Sequence, residues 1–357
     1  MSFRVQFIKC MVCVILYIIV CFIWLRMKHR SDFVVRSDLP LFVNQSKEKY
    51  IIVQQTITKA INSSERNEII SDPINSQESI SLLHQISKIC DKYNLKTPLT
   101  RRHFLYDSER KSVYCWIRKI ASTTFTKLFS DMKNRQVTHD YYREVDFLAP
   151  KTQKELHHIV NDKNTFKLLI VRHPFQRLVS SYRDRIEDNS KYTAQAWIYA
   201  KKIFYLTRPH LFRSNISTGD FQERVFTHDK RLKLIPTFKE FALWLLQSSE
   251  QDDVHWDHYY THCSVCNIRY NYILKLDNYT YGQINYVFSR LGLNYKNTYL
   301  PRLEKTRGGY TNFDTTCKYF RNLSQDIIFK LYERYKIDFE MYNYDLNRYI
   351  FCTNKKN

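Results

Sequence analysis

The hydrophobic pattern divides the chain into three stretches. Residues 10–25, CMVCVILYIIVCFIWL, form sixteen uninterrupted apolar positions between Lys9 and a basic flank of Arg26, Lys28 and Arg30. As a helix this run reaches about 24 Å, short for a plasma membrane but suited to a thin early-secretory bilayer. Its end, CFIWLRMKHR, offers none of the small residues a signal peptidase needs, so the pattern predicts an uncleaved signal anchor behind a tail at 1–9. Both flanks are basic, and the positive-inside rule alone does not orient the segment. Residues 26–82 are mostly polar, rich in Ser, Asn, Lys and Glu with little sustained periodicity, which predicts a flexible stem. From 83 onward apolar and aromatic positions are dense, and no later stretch resembles a linker or a repeat. Residues 83–357 are therefore taken as one domain, long enough for a single well-buried core.

Within that domain two strand–loop–helix units stand out. The first runs from a strand at 112–117 through a loop at 118–123 into a helix at about 124–133. The second opens on FKLLIV, 166–171, a short run suited to a strand covered on both faces. It continues into RHPFQRLVSSYRDRIED, where Pro174 suits a first helical turn and Phe175, Leu178, Val179 and Tyr182 share one face. Further helices are predicted at 237–247 and 324–336, the latter with Ser324 as cap over Ile327, Ile328, Leu331 and Tyr335. Strands alternating with helices imply an α/β fold on a mostly parallel sheet. Ligands of such sheets gather at the carboxyl ends of the strands, where both loops fall.

Charge narrows the partners. The 56 Lys and Arg against 35 Asp and Glu give a formal net charge of +21, which points to polyanions: nucleic acid, anionic lipid, or acidic glycan and nucleotide. A lumenal body behind an anchor would have no nucleic acid to meet. Five Asn-x-Ser/Thr triplets, at Asn44, Asn62, Asn215, Asn278 and Asn322, are compatible with a lumenal, glycosylated domain. So are the six cysteines beyond the anchor, Cys90, Cys115, Cys263, Cys266, Cys317 and Cys352, whose pairing the sequence leaves open.

The candidate chemistry lies in the two loops. In YCWIRKIASTTFTKLF, 114–129, backbone amides at a helix start are donors for a phosphate, Lys119 adds a full charge, and Ser122, Thr123 and Thr124 add hydroxyls. Hydroxyl clusters also cap helices on their own account, so this loop alone leaves both readings open. In the second unit Arg172 ends a buried strand, Ser180 lies two turns into the helix, and Arg177 is expected on that helix's polar side; a solvated basic face is the plainer alternative. A P-loop kinase is disfavoured, because no glycine-rich loop ending in Lys-Ser/Thr is present.

Taken together these segments resemble the sulfotransferases. RKIAST, covering Arg118, Lys119, Ile120, Ala121, Ser122 and Thr123, with Thr124 following, is similar to their 5′-phosphosulfate loop. RHPFQRLVSSYRD matches their 3′-phosphate motif at Arg172, Pro174, Arg177, Ser180 and Tyr182. HWDHYYTHCSVCNIRYNYILKLDNY (255–279) and LSQDIIFKLYERYKIDFEMYNYD (323–345) resemble segments of the Golgi carbohydrate group that includes the chondroitin/dermatan 4-O- and HNK-1 sulfotransferases, in the same order. The resemblance covers about Cys90 to Asp345 and implies a P-loop-like sulfotransferase fold and 3′-phosphoadenylyl sulfate (PAPS) as donor. It also implies in-line sulfuryl transfer to a sugar hydroxyl without a metal, and a single-pass type II protein of the Golgi membrane with its catalytic domain in the lumen. The implied acceptor is an acidic glycan, most directly the 4-O position of N-acetylgalactosamine in chondroitin or dermatan. An HNK-1-like activity on terminal glucuronate and a non-catalytic glycan-binding protein are the alternatives. One position departs from the family: Arg118 stands where a Pro is usual.

Transfer needs a general base, and imidazole is the obvious group. His139 is the first candidate, since the related group carries a His between the two phosphate motifs, and His255 is the second. His173, beside Arg172, suits a structural or nucleotide-contact role. Cys263-x-x-Cys266 with His258 and His262 makes a metal conceivable, but no second Cys-x-x-Cys follows and structural, oxidised cysteines are the simpler reading. Basic groups at Arg101-Arg102, Lys201-Lys202 and Arg302, Lys305 and Arg307 are candidates for an acceptor groove or for plain solvated charge.

Overall fold

The computed structural model describes residues 73–137, 141–190, 192–212, 218–293 and 309–354. The anchor at 10–25 and the stem up to residue 72 lie outside them. The first helices are α1 (Pro73–Tyr93), α2 (Ser122–Met132), α3 (Tyr141–Leu148), α4 (Gln153–Asn161), α5 (Pro174–Tyr182) and α6 (Ala194–Thr207). They are followed by α7 (Thr218–Val225), α8 (Phe238–Gln247), α9 (Tyr281–Arg290), α10 (Phe313–Phe320), α11 (Gln325–Met341) and α12 (Asn347–Ile350). The strands are β1 (Phe104–Asp107), β2 (Ser112–Cys115), β3 (Phe166–Val171) and β4 (Tyr272–Lys275), hydrogen-bonded in that order.

The α/β architecture on a mostly parallel sheet is present. β1 is antiparallel to β2, whereas β2–β3 and β3–β4 are parallel. All six residues of β3 and all four of β2 are buried, as strands covered on both faces require, and the buried Lys167 donates to the Asp162 and Thr165 carbonyls. The register pairs Cys115 with Leu169, so β2 and β3 end side by side and their loops leave the sheet at the same edge. This places the two predicted basic loops next to one another.

α1 begins well before residue 83. Ser79, Leu82, Ile86, Ile89 and Cys90 of this helix are buried, and the Ser79 hydroxyl accepts from the Ile273 amide of β4 at 3.1 Å. Three disulfides tie the layers: Cys90–Cys266, Cys115–Cys263 and Cys317–Cys352. Cys263 and Cys266 thus turn to different partners, the end of β2 and α1 respectively. Among the described residues no cluster of His, Cys, Asp and Glu has the makings of a metal site, and no helix is long and apolar enough to cross a membrane.

A second core lies beyond the sheet. Phe175, Leu178, Val179 and Tyr182 of α5 pack with Phe241 and Leu245 of α8 and Ile328, Leu331 and Tyr335 of α11. Each such side chain contributes about 1.5–3 kcal/mol by leaving water. Ser324 caps α11 by accepting from the Ile327 amide, and the helix runs on to Met341 through a non-helical Tyr335, beyond the predicted end at 336. The Tyr335 hydroxyl donates to the Trp256 carbonyl at 2.6 Å, tying this core to the His-Trp segment.

α8 starts in a capping box: Thr237 accepts from the Glu240 amide, and the Glu240 carboxylate accepts from the Thr237 amide. Arg208 grips the same carboxylate with Nε at 2.6 Å and Nη2 at 2.9 Å. Burial pushes the Glu240 pKa up, but the Arg208 fork and the Thr237 donors outweigh it and bring it down to about 2, from an ordinary 4.5. A depressed carboxylate contributes its stability above the unfolded-state pKa and loses it as pH falls towards the folded one. E240Q is therefore expected to lose about 2 kcal/mol of unfolding free energy at pH 7. In denaturant titrations its deficit should close between about pH 4.5 and about pH 2, and a pH-independent deficit would contradict the assignment.

Candidate active site

The loop between β2 and α2 turns without glycine. Lys119 and Ala121 both take left-handed backbone conformations, with φ of 68° and 53°. Residues with a Cβ adopt this region at a cost and hold it where the surroundings fix it. Ile120, between them, is fully buried and anchors the turn in the sheet core, so its backbone but not its side chain can face a ligand. Ala121 is the N-cap of α2 and supplies no side-chain acceptor, so the helix start is not closed by its own cap. Ser122 and Thr123 follow half-buried in the first turn, and Thr124 is buried. A helix start with an apolar cap and flanking hydroxyls is a fitting cradle for a phosphate.

The second unit locks onto this loop. Arg172, leaving β3, donates from Nη1 to the Lys119 carbonyl at 3.0 Å and from Nη2 to the Thr311 carbonyl. Arg177 donates from Nε to the Arg118 carbonyl at 3.1 Å and from Nη2 to Asp257 Oδ1 at 3.0 Å, with further bonds to the Val254 and Asp257 carbonyls. The expectation that Arg177 lines a polar helix face is corrected here. Every residue of α5 is buried, and Arg177 is only 2 % exposed, because neighbouring elements cover the helix all round. Its guanidinium serves as a brace beneath the loop. Ser180 is buried one turn further along α5.

Lys119 points to a carboxylate that the sequence reading did not single out. Its Nζ lies 3.0 Å from Asp184 Oδ2, which Arg185 Nε also approaches at 2.8 Å. Asp184 sits in the π-helical turn Arg183–Glu187 that extends α5, and this turn swings the carboxylate back under the loop. Arg183 Nη1 donates to Thr311 Oγ1 at 2.7 Å, joining the same network. Cations outnumber carboxylates here: Lys119, Arg172, Arg177, Arg183 and Arg185 gather about Asp184 and Asp257. Such an excess, backed by loop amides, suits a polyanionic donor.

His255 lies beside this cluster and is 3 % exposed. Its Nδ1 is 2.5 Å from Asp253 Oδ1, its carbonyl accepts from Ser181 Oγ, and its Nε2 is buried with no hydrogen-bond partner among the described residues. With Asp253 accepting from Nδ1–H, the lone pair of the neutral ring sits on Nε2. Burial pushes the imidazole below its ordinary pKa; the Asp253 hydrogen bond opposes this, and the Arg185 and Arg118 charges add to it. A neutral imidazole oriented by a carboxylate, with a free nitrogen, is equipped to take a proton.

The remaining candidates are placed as follows. His139 lies outside the described residues, as do Asn44, Asn62, Asn215, Arg302, Lys305 and Arg307. Asn278 and Asn322 are exposed. His173 caps α5, accepting from the Phe175 amide at Nδ1, and burial drives its pKa down to about 3. His258 pairs with Asp338 and His262 with Asp257. Arg102 pairs with Asp146, Arg101 donates to the Pro150 carbonyl, and Lys202 pairs with Glu250. Lys201 and Lys202 border a surface cavity of about 540 Å³ with Tyr205 and Trp244. Asp253 and Asp257 flank His255 in DDVHWD, so their proximity in the chain was a signal for the dyad; Asp184 follows the phosphate motif directly.

A mostly parallel sheet with two interlocked basic loops at one edge is a scaffold suited to a polyanionic ligand. The signature of the Sulfotransferase family matches residues 102–345, and the chain belongs to that family. It is a PAPS-dependent O-sulfotransferase. Among its relatives, carbohydrate sulfotransferase 11 of Mus musculus is 27% identical over 279 residues, covering 74% of this chain and 73% of its own. Carbohydrate sulfotransferase 10 of Danio rerio is 26% identical over 297 residues, covering 73% of each chain. Carbohydrate sulfotransferase 8 of Mus musculus is 26% identical over 271 residues, covering 71% of this chain and 61% of its own. No solved structure matches the chain.

Proposed function

We propose that this enzyme moves the sulfuryl group of PAPS to the 4-O position of N-acetylgalactosamine in a chondroitin- or dermatan-type glycan, as a type II protein of the Golgi membrane. The observation that carries the reading is the interlock of the two loops, in which Arg172 and Arg177 bond the carbonyls of Lys119 and Arg118. A donor with phosphates at two positions needs two anion sites held in register, and bonds that join the two loops support that reading. The motif order and the carbohydrate sulfotransferase relatives support a glycan acceptor.

In this reading the start of α2, with Ser122, Thr123 and Thr124, holds the 5′-phosphosulfate, while Arg172 and Ser180 hold the 3′-phosphate. Lys119 faces the bridging oxygen. As the S–O bond breaks, negative charge grows on the leaving phosphate, and Lys119 exchanges its contact with Asp184 for that charge. Such a contact strengthens in the transition state and therefore raises the rate rather than merely the affinity. His255 Nε2 takes the proton of the attacking sugar hydroxyl, and Asp253 holds the ring and stabilises the imidazolium that results. His139 remains the other candidate for this step.

Incubating the lumenal chain with labelled PAPS and a panel of desulfated chondroitin, dermatan and terminal-glucuronate acceptors tests the proposal. Disaccharide analysis is expected to place the label on the 4-O of N-acetylgalactosamine. Label on the terminal glucuronate instead would favour the HNK-1-like reading. Binding of glycan without transfer would revive the non-catalytic one.

A further inference from the structure

Arg118 is a cation that the donor site does not explain. Its backbone carbonyl braces the loop through Arg177, and Asp184 is paired with Lys119 and Arg185 instead. The guanidinium lies 5.0 Å from the Trp116 ring and 5.4 Å from the Tyr142 ring. No carboxylate pairs with it among the described residues, and its Nε is buried without a hydrogen-bond partner. Leaving a buried guanidinium nitrogen unpaired is costly, and such a group asks for a reason.

The surroundings hold this cation still. Trp116 is 6 % exposed and donates from Nε1 to the Arg102 carbonyl at 2.9 Å, which fixes the plane of the indole. The His103 ring stacks on Trp116 at 5.0 Å and on His262 at 4.2 Å, and His262 is bonded to the buried Asp257. The aromatic column is thus rooted in the carboxylate that braces Arg177, and Arg118 rests at its outer end. There Tyr142, at the start of α3, is 53 % exposed. An exposed ring suits the face of a sugar, and a guanidinium fork suits a planar carboxylate.

We infer that Arg118 and Tyr142 form an acceptor subsite that binds the carboxylate of a uronic acid in the glycan, with the sugar ring against Tyr142. This rests on the glycan-sulfotransferase reading above and adds to it the group that selects an acidic acceptor. The position fits: one Arg177 guanidinium bonds the carbonyl of Arg118 and that of Val254, the residue before His255, so the subsite and the base are fastened to the same brace. It also gives the net charge of +21 a local meaning that diffuse surface charge lacks.

The test compares unsulfated chondroitin hexasaccharide with the same hexasaccharide after reduction of its carboxyl groups to alcohols. The wild-type enzyme is expected to prefer the carboxylated acceptor by about 10- to 100-fold in kcat/KM. In R118Q that preference should fall to within about threefold, with the KM for PAPS changed by less than about threefold. Y142A should raise the KM for both acceptors together, since it removes the platform and keeps the charge. An unchanged preference in R118Q, or a loss of adenosine 3′,5′-bisphosphate binding as large as the loss of acceptor, would place Arg118 with the donor and overturn the inference. If the wild-type chain transfers nothing to chondroitin, the 4-O reading fails by itself. Calorimetric binding of the two hexasaccharides then decides by the same criterion: a preference that R118Q abolishes supports the subsite, and no preference in the wild type overturns it.

Discussion

Replacing Lys119 by Ala is expected to lower kcat about 10²- to 10³-fold, the cost of removing one donor aimed at developing charge. The loss should fall mainly on kcat. Adenosine 3′,5′-bisphosphate carries a 5′-phosphate with no sulfur to lose, and in the proposed site its grip rests on the helix start, Arg172 and Ser180 as well. Its affinity in K119A should drop less than the rate does. The variant is also expected to fold. Arg185 lies 2.8 Å from the same Asp184 oxygen that Lys119 contacts, so the buried carboxylate keeps a cation when the ammonium is gone. Single-turnover transfer from labelled PAPS, with calorimetry of the bisphosphate and a thermal melt, separates these effects. Transfer at the wild-type rate with an unchanged melt would remove Lys119 from the chemistry. D184N offers the complement: it removes the carboxylate that competes with the donor for Lys119, so donor affinity should rise as the orientation of the ammonium loosens.

How much of this site was legible depends on the range of each interaction. β3 was plain, because Phe166 and the unbroken apolar run 168–171 suit a strand covered on both faces, and Pro174 marks the helix that follows; the buried Lys167 is met by the Asp162 and Thr165 carbonyls. Neither loop was decisive alone, since hydroxyls also cap helices and a basic helix face is commonly solvated; only the two together, in motif order, pointed to phosphates. α1 was hidden by its polar composition, with its buried side an interrupted series through Ser79, Leu82, Ile86 and Ile89 inside a Ser- and Gln-rich stretch. The bracing of Arg177 by Asp257 spans 80 positions, and nothing local to either residue announces it. Arg177 therefore looked like surface charge until α8 and α11 were seen to close over α5. The disulfides were hidden for the same reason: Cys263 and Cys266 are neighbours in sequence, but each pairs across the fold. The missing glycines of the first loop have a physical answer. A buried Ile120 and the carbonyl bonds from Arg172 and Arg177 hold Lys119 and Ala121 in the turn that glycine would otherwise permit.

Replacing His255 by Ala is expected to reduce turnover about 10²- to 10⁴-fold, with adenosine 3′,5′-bisphosphate still bound. Loss of rate alone would not separate a base from a structural His, because His255 is buried and its carbonyl holds Ser181. The pH profile does separate them. A base must be neutral to act, so its rate is lost as pH falls through its pKa; burial holds that pKa below 6.5, and the acid limb of kcat/KM should lie below pH 6.5. The Asp253 hydrogen bond is the contact that raises it. D253N weakens that bond and should move the acid limb to still lower pH while slowing the plateau, since the ring loses both its orientation and its partner for the imidazolium. A purely structural His255 would give a slow D253N enzyme with an unmoved limb. Full activity in H255A would instead transfer the role to His139, and H139A measured beside it completes the test. His255 belongs to the segment that Arg177 fastens beneath the phosphate loop through the Val254 and Arg118 carbonyls, and this is the geometric ground for testing it first.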